Sequence, residues 1–294
     1  MKSLITVSAV QQACALDRES NFNTSLALID EAAAQGADLV VLPELHLDPY
    51  FCQSQTPDFF ALAQPIPGPT TDILSEVAAK HKIVIVSTLF EQRAPGIYHN
   101  TAVVIDKDGS LCGKYRKMHI PDDPGFYEKY YFTPGDLGFT PIKTSIGLLG
   151  VLICWDQWFP EAARLMALAG AELLIYPTAI GWNPTDEHDE KQRQLDAWVT
   201  IQRAHAVANG IPVISCNRIG FEPAPDSDTG IEFWGNSFIA GPQGEILDRA
   251  DDKQTRLLTT HINKKNTEQI RQIWPYLRDR RIDNYANLVK RYID

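Results

Sequence analysis

The chain has few cysteines, and none are placed to pair locally. Its 294 residues include five, Cys14, Cys52, Cys112, Cys154 and Cys216, odd in number and widely spaced. No CxxC occurs, which excludes zinc-ribbon and thioredoxin-type sites. A chain of this length can bury a core that needs no disulfides. Long apolar runs are also missing, and none approaches the ~20 residues needed to cross a bilayer. The N-terminal segment passes at once from a short apolar run into acidic and polar residues, so it reads as a first strand rather than a leader. A reducing cytosol is the expected compartment. Positive charge is scarce: 27 Lys and Arg stand against 37 Asp and Glu, a net charge of −10. An acidic surface repels phosphate backbones, so nucleic acid is excluded as a partner. The seven histidines are scattered, without HExxH or HxH. Metal-ligand spacing is therefore absent, and neither metal nor cofactor is expected.

What is present is an alternation of strand-like and helix-like segments with no Pro/Ser-rich linker. Strands are predicted over 4–13, 37–45, 83–91, 101–106, 147–154, 171–178, 211–220 and 256–262, with a hairpin over 233–247. Helices are predicted over Asn23–Ala34, Thr71–His81, Phe159–Leu168 and Glu190–Asn209, from apolar spacing and from Gly36, Gly170 and Gly210 at their ends. Runs such as VVL and VLI are apolar at consecutive positions, which marks strands buried on both faces. The pattern predicts one α/β domain over 1–294, with two stacked sheets covered by helices. Its core spans about 4–262, and a helical C-terminal arm covers about 263–294.

Three residues carry chemical interest. Cys154 ends an apolar strand just before a helix, a strand–turn–helix geometry that exposes a nucleophile and sets it near a helix N-terminus that favours thiolate. A cysteine taken alone is more often a buried structural residue. Glu44, in VVLPELHLDPY, follows a buried strand and a proline, where a carboxylate is costly unless paired or used. Beside a thiol it can act as general base; taken alone, it reads more readily as a cap or salt-bridge partner. Lys117, in GKYRKMHIPDD, can stabilise an oxyanion and a neighbouring thiolate, or simply belong to a solvated basic turn.

Together the three resemble the nitrilase superfamily. The resemblance rests on Pro43-Glu44-Leu45, on Tyr115-Arg116-Lys117-Met118-His119-Ile120 and on Cys154-Trp155-Asp156-Gln157-Trp158-Phe159-Pro160-Glu161, in that order, and runs from Ile5 to about Ile262. It implies an αββα sandwich of two stacked mixed sheets flanked by helices, pairing into four-layer-forming homo-oligomers. It also implies a Glu44–Lys117–Cys154 triad with a thioester-type intermediate, and it matches Glu128, in PGFYEKYYFTPGD, to a second glutamate that orients the lysine or substrate.

The segments KMHIPDDPGFYEKYYFTPGD, ICWDQWFPEAARLMALAGAELLIYPTAIGWNP and CNRIG resemble members that hydrolyse the ureido group of a carbamoylated diamine to amine, carbon dioxide and ammonia. The small-molecule partner expected is thus a cationic ureide. No cation stands among the residues just after Cys154, whereas acidic and aromatic groups cluster nearby and suit an alkylammonium. Candidate substrate contacts are Tyr50, Asp122, Tyr127, Trp155, Asp156 and Ala179, with Asp123 and Trp158 as further wall candidates. The run Asp186–Glu190 either meets the ammonium or forms a solvated helix start. Rival readings are an ω-amidase or β-ureidopropionase-like enzyme, a metallohydrolase, a Cys–His protease, and a non-catalytic binding protein on the same fold.

Overall fold

The structure, a computed structural model, describes residues 2–225 and 229–293. The chain begins with β1 (Leu4–Ala13), α1 (Arg18–Ala34), β2 (Leu39–Val41), α2 (Pro69–His81), β3 (Val84–Ala94), β4 (Ile97–Ile105) and β5 (Leu111–Arg116). A short helix α3 (Glu128–Tyr131) precedes β6 (Ile142–Thr144), β7 (Gly147–Val151), α4 (Pro160–Leu168), β8 (Leu173–Pro177) and β9 (Gly181–Trp182). Then come α5 (His188–Asn209), β10 (Val213–Cys216), β11 (Arg218–Pro223), β12 (Gly230–Trp234), β13 (Phe238–Ala240), β14 (Ile246–Arg249), β15 (Arg256–Asn263) and α6 (Lys264–Ile273).

The strands form two mixed sheets. The first runs β5-β4-β3-β2-β1-β11-β12-β9, with β15 also paired to β1; the second runs β14-β13-β10-β8-β7-β6. Both centres are parallel, β1–β2–β3 in one and β7–β8–β10 in the other. Parallel strands need cover on both faces. α1 and α2 bury Leu28, Ile29, Ala32, Leu74 and Ala78 against Val10, Val40 and Ile85 on the outer face of the first sheet. Val7, Val41, Val86 and Val104 meet Leu149, Val151 and Ile175 between the sheets, and Met166 of α4 and Trp198 of α5 extend the same core. The layers therefore read α, β, β, α, the architecture anticipated from the sequence. No described helix is long and apolar enough to cross a membrane.

Local signals explain the helix ends. Asp17 caps α1 by accepting from the Ser20 N–H at 2.8 Å, so the helix starts at Arg18, a full turn before the predicted Asn23. Gly210 ends α5 with a left-handed φ of 59°, a conformation that favours glycine.

Three predicted strands are cut or divided. The segment 37–45 is strand only over Leu39–Val41, and 147–154 only to Val151; both chains leave their sheets just before the residues of chemical interest. The single strand predicted over 211–220 is two, β10 in the second sheet and β11 in the first. Asn217 makes the crossing, its side chain bonded to the Ile180 N–H and C=O and to the Gly235 C=O. Likewise the predicted hairpin 233–247 changes sheets, with Trp234 in β12 and the true hairpin formed by β13 and β14. Apolar periodicity marks burial without naming the sheet.

Gly135 shows how tightly the loop after β5 is packed. Its N–H donates to the Lys117 C=O at 2.8 Å, and a Cβ there would lie 2.0 Å from the Arg116 carbonyl oxygen. Gly135→Ala is expected to destabilise the fold by about 1–3 kcal/mol through overpacking, seen as a lower Tm, and to displace the backbone of Lys117. A Tm equal to wild type would contradict this packing.

Candidate active site

The two sheets bring their strand ends together at one edge of the sandwich. Glu44 follows β2, Lys117 follows β5, Cys154 follows β7 and Ala179 follows β8. Ligand crevices in α/β sheets lie beyond the carboxyl ends of strands for this topological reason. The Glu44 N–H donates across to the Thr178 C=O of the other sheet at 3.3 Å, which closes the edge.

Lys117, Glu44 and Glu128 are each completely buried. The Lys117 ammonium donates to Glu44 Oε1 at 2.8 Å and to Glu128 Oε2 at 2.7 Å. Asn100 Nδ2 donates to Glu44 Oε1 at 2.7 Å, and the Tyr50 hydroxyl donates to Glu128 Oε1 at 2.7 Å. Glu44 Oε2 is left without a hydrogen-bond partner among the described residues. Burial alone would lower the Lys117 pKa, but the Glu128 and Glu44 carboxylates outweigh it and hold the group well above its usual value. Burial also raises Glu128, to about 7, with Lys117 opposing the shift and Glu44 adding to it.

Cys154 opens a 3-10 turn, Cys154–Trp158, that runs into α4. Its φ is +42°, a left-handed conformation that costs a non-glycine residue strain and is concentrated at functional sites. Its thiol lies 3.7 Å from the Ala179 C=O. The nearby helix N-terminus was expected to favour thiolate; burial outweighs it. The thiol pKa is pushed well above its normal range by burial first and then by the Glu44 charge, with Lys117 pulling it down. Cys154 is therefore held as a thiol, and its ionisation needs a base.

The cavity beside Cys154 has a volume of about 510 Å³. Glu128, Cys154, Trp155, Trp158, Ala179 and Trp234 line its inner part, and Asp123, Asp186, Glu190, Arg193 and Gln194 its outer part. Of the six anticipated substrate contacts, Trp155 and Ala179 line this cavity and four do not. Tyr50 is buried behind Glu128, its hydroxyl already committed. Asp156 is buried beneath the turn, accepting from the Tyr115 hydroxyl at 2.8 Å, the Ile153 N–H at 2.9 Å, the His119 N–H at 3.0 Å and its ring at 2.7 Å. It clips the segment after Lys117 to the turn after Cys154 and has no face left for a ligand. Asp122 is exposed and off the cavity, while its neighbours Pro121, Asp123 and Pro124 stand on the wall. Tyr127 is half-buried off the cavity, its N–H bonded to the Cys52 C=O at 2.8 Å.

Asp186 and Glu190, for which a solvated helix start was an open alternative, stand on the cavity wall with Trp158 and Asp123. Sequence reasoning missed Asn100, Trp234, Arg193 and Arg218. Arg218 carried a signal, an arginine inside the apolar segment IPVISCNRIG. Among the described residues no cluster of three or more His, Cys, Asp or Glu is arranged to hold a metal.

A family model described as carbon-nitrogen hydrolase matches residues 6–272. The chain belongs to that family. This hydrolase is 43% identical over 288 residues to the N-carbamoylputrescine amidase of Solanum lycopersicum, covering 97% of this chain and 95% of that one. It is 39% identical to the citrullinase of Francisella tularensis, over 98% of this chain and 99% of that one. The crystal structure of a carbon-nitrogen hydrolase from Helicobacter pylori G27 superposes with a TM-score of 0.95 at 51% identity, over 99% of this chain and 100% of that one. The protein is thus a hydrolase of carbon–nitrogen bonds other than peptide bonds, on the nitrilase fold.

Proposed function

We propose that this hydrolase cleaves the ureido group of N-carbamoylputrescine, releasing putrescine, carbon dioxide and ammonia for polyamine biosynthesis. The observation that carries the reading is the cavity itself, with a thiol beside a Glu–Lys–Glu cluster at its floor and carboxylates at its mouth. Near-full-length similarity to amidases of that name supports it.

In this reading Glu44 takes the Cys154 proton and the sulfur bonds to the carbamoyl carbon. Lys117 and a backbone N–H of the turn, that of Trp155, hold the developing oxyanion. The intermediate collapses with one C–N bond broken, its nitrogen protonated by Glu44, to leave a carbamoyl thioester. Water, deprotonated by Glu44, attacks that thioester and displaces the sulfur; the carbamate released decomposes to carbon dioxide and the second amine. Glu128 keeps Lys117 charged and in place. Trp155 and Trp158 flank the alkyl chain and the ammonium ends near Asp186 and Asp123, since Glu190 is already paired with Arg193 at 2.6 Å.

Arg193 favours one second reading. A cation on the wall would suit the carboxylate of citrulline, whose ureido end is identical, and a relative is a citrullinase. Residues Ile273, Trp274, Leu288, Val289 and Tyr292 of the C-terminal arm are exposed and apolar, which supports a homo-oligomer, and the five unpaired cysteines suit a reducing cytoplasm.

Ammonia release from N-carbamoylputrescine, citrulline, N-carbamoyl-β-alanine and a simple ω-amide is the direct test. Turnover is expected to favour the first, and Cys154→Ala to lose at least about a thousandfold. Preference for citrulline selects the second reading, and wild-type turnover by Cys154→Ala overturns the mechanism. Glu128 is a neutral acid below about pH 7 and a carboxylate above it. Because only the carboxylate balances the Lys117 ammonium, kcat/KM is expected to rise as pH passes upward through that value; a flat profile from pH 5 to 8 would contradict the role given to Glu128. Light scattering should give a multiple of the 32.9 kDa chain mass, and a monomer would remove the oligomer from this reading.

A further inference from the structure

Behind the Lys117 cluster lies a second buried ion pair that the reaction as described does not use. Arg218, at the start of β11, is completely buried, and Glu222 on the same strand nearly so. The guanidinium of Arg218 donates to the Glu44 C=O at 3.0 Å, to the Asp48 C=O at 2.9 Å, to the Leu45 C=O, and to Glu222 Oε1 at 2.9 Å. Glu222 Oε2 accepts the Tyr50 N–H at 2.6 Å. The Arg218 guanidinium also stands over the Tyr50 and Phe233 rings, 5.8 and 5.7 Å from their centres.

The pair therefore holds both arms of the cluster. One arm is the main chain carrying Glu44. There Leu45 has a left-handed φ of +49°, and such a conformation persists only where the surroundings over-determine it. The three carbonyls bonded by Arg218 and the Leu45 N–H donating to Thr88 Oγ1 at 2.6 Å supply that constraint. The other arm is Tyr50, whose backbone is tied to Glu222 and whose hydroxyl, at the far end of a fully buried ring, donates to Glu128. A planar, permanently charged guanidinium can serve several acceptors at fixed angles, which an ammonium cannot.

We infer that Arg218 and Glu222 are positioning residues for this reaction: one buried ion pair sets where Glu44 stands relative to Cys154 and where Tyr50 holds Glu128 against Lys117. The inference rests on the roles given above to Glu44, Lys117 and Glu128. It assigns the pair to the chemical step, because neither residue lines the cavity, so substrate affinity should respond little. The groups facing Glu128 are Lys117, Glu44, Tyr50, Cys52 and Cys154. Of these, the pair holds Glu44 through its carbonyl and Tyr50 through its N–H, and Tyr50 is the one whose hydroxyl reaches Glu128. Its donated hydrogen bond favours the Glu128 carboxylate, so a displaced Tyr50 lets Glu128 keep its proton to higher pH.

The test compares Glu222→Gln, Arg218→Lys, Tyr50→Phe and the double variant Glu222→Gln/Tyr50→Phe. Lys264→Met, which removes the Lys264–Glu172 bridge outside the cavity, serves as the control for general destabilisation. The two carboxylate oxygens accept from different donors, so a carboxamide sets its NH2 against either the Arg218 guanidinium or the Tyr50 N–H. Glu222→Gln is therefore expected to lower kcat by roughly 10- to 100-fold, the scale of a misplacement of about 1 Å, with KM within about threefold. The acid limb of kcat/KM is expected to move to higher pH in Glu222→Gln, Arg218→Lys and Tyr50→Phe, but not in Lys264→Met. The double variant should shift no further than the larger single one, as coupled residues do.

A folded Glu222→Gln or Arg218→Lys protein with wild-type kcat and acid limb overturns the inference, as does an equal shift in Lys264→Met. Should Glu222→Gln not fold, Arg218→Lys and Tyr50→Phe carry the same decision. Retained activity in Cys154→Ala would instead overturn the underlying mechanism, so the two failures are separable.

Discussion

The site depends on one ammonium held in a dry interior. Taking Lys117 out of water costs several kcal/mol, as does burying each carboxylate beside it. The arrangement is tenable because Glu44 and Glu128 both reach the ammonium, and because Asn100 and Tyr50 satisfy oxygens that would otherwise be stranded. Glu44 and Tyr50 follow β2, Asn100 lies in β4, and Lys117 and Glu128 follow β5, all of the first sheet, so their positions are mutually dependent. Breaking any one contact leaves a buried charge without its partner, a larger loss than the contact itself contributes.

That charge cluster also acts, after burial, on the Cys154 thiol. Cys154 lies beside one ammonium and two carboxylates in low dielectric, and burial with the carboxylates outweighs the cation. The thiol stays protonated and comparatively inert until a base takes its proton. A strained backbone at Cys154, fixed from below by Asp156, keeps the sulfur at the cavity floor whatever its ionisation. Indole faces and the carboxylates of Asp123, Asp186 and Glu190 share the wall of the same cavity.

Much of this was legible in the linear chain. Glu44 and Cys154 each follow a buried strand, where a polar side chain has no solvent to satisfy it, whereas Lys117, in a run that also reads as a solvated basic turn, was legible through its place in the order of the three motifs. Glu128 was legible only by resemblance, since α3 is four residues long and has no periodicity of its own. The substrate wall was the least legible part. Asp122 and Asp123 are adjacent exposed carboxylates of which the second lines the cavity, and Tyr50 and Asp156 look like ligand contacts until their bonds to protein are seen.

By itself the sequence determined the layered α/β class and the burial of its strands, because hydrophobic periodicity is a local property, and its motifs pointed by resemblance to Glu44, Lys117 and Cys154. Only the tertiary structure decided which strands share a sheet, as the division at Asn217 shows. It also decided that Asp156 clips and Asp186 lines, and that Arg218 and Glu222 lie behind Glu44 and Tyr50. Those facts are set by contacts between residues far apart in the chain, from 37 positions for Asn217 and Ile180 to 174 for Arg218 and Glu44, and no local property of the chain encodes a contact of that kind.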